Sequence, residues 1–151
     1  MSDSQLKLSA FVPYILSVVS NEISQNIANL YQSQFDIDIH QWRVMAILGE
    51  ETQLSAREVA KRTAMDKVAV SRAVKKLLHV NMVSRAIASD DKRRSILSLS
   101  SYGKTIYEQI VPITKDYEMA LLDRLEPAEV DQLICLLAKL RQANQSLEQH
   151  T

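Results

Sequence analysis

The chain has 151 residues, of which 46% are hydrophobic and 24% are charged, a balance typical of one soluble globular unit with its own core. Its 18 Lys and Arg residues balance 18 Asp and Glu residues, so the net charge alone gives no sign of a polyanionic partner. A single cysteine, Cys135, excludes an intrachain disulfide and fits a cytoplasmic location. The sequence predicts neither a signal peptide nor a membrane span.

Two helices are predicted at the start of the chain. Over residues 9–33, apolar residues such as Ile15 and Val19 recur at steps of three and four, which is the spacing of one helix face. Residues 40–49 predict a second helix, and Gly49 is its expected end.

The middle of the chain predicts two helices joined by a tight link. Ser55 and Glu58 have the S-x-x-E spacing of a capping box, so a short helix begins there and ends near Thr63. Asp66 is the expected N-cap of a second helix that reaches about Leu78. Four apolar residues of this second helix form one predicted buried stripe: Val70, Ala73, Val74 and Leu77.

A β-hairpin is predicted directly after these helices. Segments 83–88 and 95–99 have β character and flank a polar, charged tip. Asn81 precedes the first strand, and Asn tolerates a left-handed backbone better than most residues. Apolar side chains on both arms are expected to anchor the hairpin to the core: Ile87, Ile96, Leu97 and Leu99.

The C-terminal third predicts two more long helices. The first runs from Ser100 to about Leu125 and contains Pro112, which should kink it or force a local adjustment. Pro127 suits the first position of the last helix, over about 127–147, whose apolar residues repeat at helical spacing. The predicted fold is therefore mainly α with a small β-wing.

The zero net charge hides a segregation of charge along the chain. Residues 55–104 contain 12 Lys and Arg against 4 Asp and Glu, a net charge of +8, whereas the remaining residues contain 6 against 14, a net charge of −8. Such a basic block on an acidic body indicates a surface for a polyanion. A solvated basic face without a partner explains the charge alone equally well.

The helix pair at 55–78 has the features of a helix-turn-helix that enters the major groove of duplex DNA. It combines an apolar inner face with a basic outer face that begins with small side chains. Lys67 and Arg72 can contact phosphates or guanine edges, whereas Lys75 and Lys76 suit phosphates. The predicted DNA-binding set in this segment is Ser55, Lys67, Val68, Ala69, Ser71, Arg72, Lys75 and Lys76.

The tip of the hairpin supplies a second predicted contact. Arg93 on a narrow loop can enter the minor groove, whose negative potential attracts arginine. Asp91 is placed to orient that guanidinium, and Lys92 and Arg94 add positive charge. A basic hairpin directly after a helix-turn-helix makes the combined pattern more specific than either part.

At these residues the chain resembles the MarR family of bacterial winged-helix transcription regulators. The likeness covers about residues 9–147 and is clearest at LSAREVAKRTAMDKVAVSRAVKKLLHVNMVSRA and at DDKRRSILSLSSYGK. The second segment matches the family's wing pattern at Asp91, Arg93, Leu97, Leu99 and Gly103, and Ser100 stands where that pattern usually has Thr. The resemblance implies a homodimer of single units spanning 1–151. Helices within 9–33 and 101–147 would interlock, and a winged domain over 38–100 would bind half of a pseudo-palindromic operator.

The same resemblance implies a site for a small anionic effector, often an aromatic carboxylate or a phenol, between the dimer helices and the winged domain. An arginine beside an indole and hydroxyl groups can hold such a ligand. The candidate residues are Ser17, Ser20, Ser24, Trp42 and Arg43. Alternatively, the serines only permit close helix packing, and Arg43 pairs with an acid such as Asp36 or Asp38.

No catalytic motif is present, and the three histidines lack the spacing of a metal site, so no enzyme activity, metal or cofactor is expected. Cys135 lies beside the apolar stripe of the last helix and is expected to be a small buried hydrophobe. The leading hypothesis is a dimeric repressor that a small aromatic or phenolic carboxylate releases from its operator. Two alternatives are an effector-independent DNA-binding or architectural protein and a winged helix used for protein–protein contacts.

Overall fold

The computed structural model describes residues 4–88 and 95–150 of the chain. Within these residues, a 3-10 helix at Leu8–Ala10 precedes six α-helices and two strands. In chain order these are α1 (Val12–Phe35), α2 (Ile39–Glu50), α3 (Ala56–Thr63), α4 (Lys67–His79), β1 (Val83–Ile87), β2 (Ser95–Leu99), α5 (Ser101–Leu122) and α6 (Pro127–Glu148). The predicted fold, mainly α with a small β-wing, is confirmed.

The chain forms two compact units, Met1–Ile113 and Thr114–Thr151. The first contains α1 to α4, the hairpin and the first part of α5, and the second contains the rest of α5 and α6. Helix α5 continues through Pro112 without ending there. The division into dimerisation helices at 9–33 and 101–147 and a winged domain at 38–100 stays a prediction. Within residues 4–88 and 95–150, no helix combines the length and hydropathy that a membrane crossing requires.

The first unit has a continuous hydrophobic core. Its largest fully buried side chains include Tyr31, Met45, Leu77 and Leu97. The predicted stripe of α4 is buried, and α4 packs with it against α2 and α3. Helix α4 is therefore held rigidly by its apolar side, which leaves its other side free for contacts with a partner.

The turn after α4 brings the chain close to the start of α5. Asn81 takes a left-handed backbone with φ 60°, as expected. The Ser100 hydroxyl donates to the carbonyl of Asn81 and accepts from the N–H of Gly103 at 2.9 Å. A Cβ atom at Gly103 would overlap the backbone of Met82, so the approach requires glycine.

Two expectations about the hairpin and α2 are wrong. Ile87 does not anchor the hairpin, because it is 70% exposed and pairs with Ser95 at the last position of the ladder; Leu97 is fully buried instead. Gly49 does not end α2, which continues to Glu50. The missing side chain at Gly49 makes room for the ring of Tyr107.

The expectation that Cys135 is buried is also wrong for the single chain. Cys135 is exposed, and none of the residues of α6 is buried. Most of the apolar side chains of α6 are therefore exposed within one chain.

Candidate nucleic-acid interface

The link between α3 and α4 is fixed by local hydrogen bonds. The Ser55 hydroxyl accepts from the N–H of Glu58 at 3.2 Å, and the Glu58 carboxylate accepts from the N–H of Ser55 at 2.9 Å, so the predicted capping box is present. The Thr63 hydroxyl donates to the carbonyl of Val59 at 2.8 Å near the end of α3. Ala64 then takes a left-handed backbone with φ 54°, which turns the chain towards α4.

The cap of α4 is the one that the sequence predicts. Asp66 Oδ1 accepts from the N–H of Ala69 at 2.8 Å, and the carboxylate lies at the positive end of the helix dipole. Lys67 and Val68 follow directly and are exposed, whereas Ala69 is half-buried. Among these three residues of the predicted DNA-binding set, Ala69 is therefore the least accessible.

The outer face of α4 consists of five exposed side chains around a shallow depression of about 400 Å³: Lys67, Val68, Ser71, Arg72 and Lys75. Its three cations have no ion-pair partner among the residues that the structure describes. Their positive charge is therefore not neutralised by those residues. A rigid helix with one dry and one basic side is the form that fits a major groove.

Lys76 is directed away from the outer face. Its Nζ donates to Asp38 Oδ2 at 3.1 Å, while Asp38 Oδ1 accepts from the N–H of Gln41 at 2.8 Å and caps α2. Burial, the largest single influence, raises the pKa of Asp38, but the hydrogen bond from Gln41 and the charge of Lys76 outweigh it and lower the pKa. Lys76 thus lies at the N-terminus of α2, and its contact with DNA stays a prediction.

Two arginines outside the predicted DNA-binding set lie beside the outer face. Arg57 of α3 and Arg85 of β1 line a depression of about 250 Å³ together with Lys67 and Ser71. Cations from α3, α4 and β1 therefore lie together around this depression, which forms one corner of the surface. Strand alternation places Arg85 on the same face as the buried Val83, so the sequence pattern did not indicate that Arg85 is exposed, and nothing local joins it to Arg57.

The hairpin has the predicted strands in an antiparallel register from Val83 opposite Leu99 to Ile87 opposite Ser95. The predicted tip contacts lie outside the described residues: Asp91, Lys92, Arg93 and Arg94. Their role in DNA binding stays a prediction.

The predicted effector residues come together only in part. Arg43 Nη2 donates to the hydroxyl of Ser24 at 3.4 Å, whereas Ser17 and Ser20 are exposed on α1. Arg43 forms no ion pair with any residue in the described part of the chain. Its guanidinium therefore keeps donors for an anionic ligand.

Trp42 lies in a row of three aromatic rings. Its ring centroid is 5.8 Å from that of Tyr31 at an interplanar angle of 49° and 5.7 Å from that of Tyr107 at 26°. Burial, followed by the negative charge of Asp38, raises the pKa of Tyr31 to about 12 against the opposing charge of Arg43. The Tyr31 phenol therefore stays neutral across the physiological pH range.

A helix-turn-helix followed directly by an antiparallel hairpin, with a basic outer face on its second helix, defines a winged helix-turn-helix protein. Within residues 4–88 and 95–150, no group of three or more His, Cys, Asp or Glu side chains could hold a metal ion.

Comparison with known proteins identifies the family. The model of the MarR family matches residues 35–94. The HTH-type transcriptional regulator BilQ of Clostridium symbiosum is 31% identical over 93 residues, which cover 62% of this chain and 65% of BilQ. A MarR/EmrR family transcriptional regulator from Acinetobacter sp. ADP1 has a crystal structure similar to this chain, with a TM-score of 0.87 and 28% identity over 93% of this chain and 99% of that chain.

A third relative shares the fold at lower identity. BpsR of Bordetella bronchiseptica, whose DNA binding is regulated by 6-hydroxynicotinic acid, has a TM-score of 0.81 and 20% identity over 91% of this chain and 98% of that chain. The family model, the relatives and the solved structures therefore agree on the MarR family of transcriptional regulators, which confirms the family predicted from the sequence. The family and fold of this chain are those of transcriptional regulators rather than of enzymes.

Proposed function

We propose that this chain is a homodimeric regulator that binds double-stranded DNA through the outer face of α4 and the wing. The observation that carries the proposal is the outer face itself. It presents three cations with no ion-pair partner in the described part of the chain, on the side of α4 opposite its buried stripe. Because that stripe holds α4 rigidly, the helix can enter a major groove without rearranging.

The outer face contains side chains for both kinds of DNA contact. Arg72 and Ser71 are proposed to reach base edges, and Val68, which is 58% exposed, to touch a thymine methyl group. Lys67 and Lys75 are proposed to contact phosphates, which add affinity without sequence information.

The corner formed by Arg57 and Arg85 is proposed to hold the sugar–phosphate backbone beside that groove, because its cations come from α3 and β1 rather than from the helix in the groove. At the wing tip, Arg93 is proposed to enter the minor groove on the strength of the sequence pattern alone.

A second subunit is proposed to cover the apolar side chains of the terminal helices. In α6, six leucine and isoleucine side chains are 41% to 70% exposed: Leu133, Ile134, Leu136, Leu137, Leu140 and Leu147. Around the start of α1, five more apolar side chains are exposed: Phe11, which directly precedes the helix, and Val12, Ile15, Leu16 and Val19 within it. Large exposed apolar patches are uncommon on monomeric proteins, and a two-fold dimer would bury the same patch on both chains.

The regulator is proposed to be a repressor that a small aromatic or phenolic carboxylate releases from its operator. The contact between Arg43 and Ser24, next to the aromatic row at Trp42, supports this chemistry, because it offers donors for a carboxylate beside stacked rings. The regulation of BpsR by 6-hydroxynicotinic acid is a property of that fold relative and supports the same class of ligand here.

The DNA proposal is tested by the salt dependence of binding to a duplex selected from random sequences. The logarithm of affinity should fall with the logarithm of salt concentration, at a slope of about −0.9 per phosphate contact. Lys75→Gln should reduce the magnitude of the slope by about 0.9. Lys115→Gln, an exposed site on α5, is the matched control.

Arg72→Ala should weaken binding by about 1–3 kcal/mol and relax sequence preference at one position. A flat salt response, or equal affinity for selected and unselected duplexes, would contradict sequence-specific DNA binding. The first result would favour a winged helix used for protein contacts, and the second an architectural protein.

A further inference from the structure

A cavity of about 770 Å³ lies where the connection between α1 and α2 meets the C-terminal end of α4, within the first unit. Ile37, Leu78 and Val80 form its apolar wall, and its remaining lining residues are polar or charged. Neither Trp42 nor Arg43 lines it. Its volume lies within the range of small-molecule sites, and it is distinct from the proposed effector residues.

The cavity is lined by two carboxylates and two ammonium groups. The pair of Lys76 and Asp38 is closed at 3.1 Å, so these two charges satisfy each other. Asp36 and Lys75 also line the cavity, and neither has an ion-pair partner in the described part of the chain. One charge of each sign is therefore left for an occupant.

We propose that this cavity binds an uncapped aliphatic dipeptide. The peptide carboxylate contacts Lys75, its ammonium contacts Asp36, and its aliphatic side chains cover the apolar wall. A ligand with a single charge would satisfy one of these two groups and leave the other beside it without a counter-charge. Gln32 adds an amide that can hydrogen-bond to a peptide group, and the cavity is large for a single amino acid.

Occupation of the cavity is coupled to DNA binding through Lys75, and this coupling rests on the proposed function. Lys75 lines both the cavity and the depression on the outer face of α4. A peptide carboxylate and a DNA phosphate therefore compete for the same ammonium group. By linkage, the dipeptide lowers DNA affinity by the same factor by which DNA lowers dipeptide affinity.

Calorimetric titration of the full chain without DNA tests the site with three matched probes. These probes are leucyl-leucine, N-acetyl-leucyl-leucine, which lacks the ammonium, and leucyl-leucinamide, which lacks the carboxylate. Leucyl-leucine should bind about twofold to fivefold more tightly than either analogue, because each analogue leaves one exposed cavity charge unmatched. Equal affinity for the three probes, or no binding of leucyl-leucine, would overturn the proposal.

A variant of Asp36 separates the ammonium contact from the fold. Asp36 has a left-handed backbone with φ 54°, which Asn also accepts, so Asp36→Asn should keep the native structure. Its affinity for leucyl-leucine should fall to that for the N-acetyl analogue, whereas DNA affinity without peptide stays unchanged. Asp123→Asn, at an exposed position near the end of α5, is the matched control. Wild-type dipeptide affinity in Asp36→Asn would overturn the assignment.

The regulatory part has its own measurement. Saturating leucyl-leucine should weaken DNA binding and reduce the magnitude of the salt slope by about 0.9, the value for one phosphate contact. If the dipeptide binds and DNA affinity does not change, the coupling is refuted. If the chain does not bind DNA at all, the proposed function fails while the calorimetry still decides whether the cavity takes a dipeptide.

Discussion

Asp38 caps α2 and also pairs with Lys76, and two different substitutions can distinguish these interactions. Its Oδ1 caps α2 at 2.8 Å from the N–H of Gln41, and its Oδ2 accepts from Lys76 at 3.1 Å. Asp38→Asn keeps an oxygen for the cap but cannot pair with the ammonium. Asp38→Ala removes both interactions. Comparing the two variants therefore measures the ion pair and the cap on the same helix.

The expected magnitudes follow from exposure. The side chains of Lys76 and Asp38 are 62% and 32% exposed, so their pair should contribute only about 0.2–1 kcal/mol. Loss of the cap should cost about 0.5–2 kcal/mol more. Asp38→Asn should thus lower the free energy of unfolding by about 0.2–1 kcal/mol and Asp38→Ala by about 1–3 kcal/mol. Each kcal/mol corresponds to a Tm decrease of about 2–4 °C for a chain of this size.

Urea denaturation at one fixed protein concentration is the assay, since the proposed dimer would make stability depend on concentration. A double-mutant cycle of Asp38→Asn with Lys76→Gln should give a coupling energy equal to the loss in Asp38→Asn. Zero coupling would refute the contribution of the ion pair. Equal losses in Asp38→Asn and Asp38→Ala would refute the contribution of the cap.

The pH dependence of the same variants gives a second check. Because the folded state lowers the pKa of Asp38 below its ordinary value of 3.8, its stabilising effect is present above that pH and is lost as pH falls through the folded pKa. The stability difference between wild type and Asp38→Asn should therefore be constant from about pH 5 to 8 and shrink below about pH 4. A difference that grows on acidification would contradict the sign of this shift.

Three further predictions concern the effector, the backbone and the dimer. Arg43→Ala should blunt the response of DNA binding to salicylate, used as a probe aromatic carboxylate, without changing DNA affinity in its absence; loss of both would indicate a structural role. Gly103→Ala should lower the free energy of unfolding by about 2 kcal/mol or more, because the added Cβ overlaps the backbone of Met82. Ala64→Gly, at a position with φ 54°, should leave the free energy of unfolding unchanged or raise it by up to about 1 kcal/mol. Denaturation curves in which both variants behave alike would contradict this distinction. Leu137→Asp should shift the chain from dimer to monomer in sedimentation experiments and weaken operator binding, since Leu137 is 42% exposed on α6; an unchanged dimer would remove it from the proposed interface.

Much of the local structure around the outer face was predictable because its signals span three or four residues. The capping box of Ser55 and Glu58, the N-cap of Asp66 and the left-handed Asn81 are all as the sequence predicts. Helical periodicity likewise predicts which side of α4 is dry. These features depend on hydrogen bonds and side-chain directions within a single element, so neighbouring residues are sufficient to specify them.

Other expectations failed because they depended on which elements pack against each other in the folded chain. Ile87 has the apolar character of an anchor, but its side chain is 70% exposed, and only Val83 of β1 is buried. Gly49 is typical of a helix end, but it serves as a space for the ring of Tyr107, which is 58 positions further along the chain. Neither outcome follows from residue type or periodicity, since both are set by which element packs on which.

The sequence by itself therefore determined the order of the elements, the caps that turn α3 into α4, and the charge of the helix that is proposed to enter DNA. Tertiary structure decided which of those charges are available. Lys75 and Lys76 are adjacent and chemically identical, yet Lys75 lies on the outer face while Lys76 pairs with Asp38, 38 residues away. Only the packing of α4 on α2 creates that difference, because an ion pair between residues far apart in the sequence produces no repeating sequence pattern.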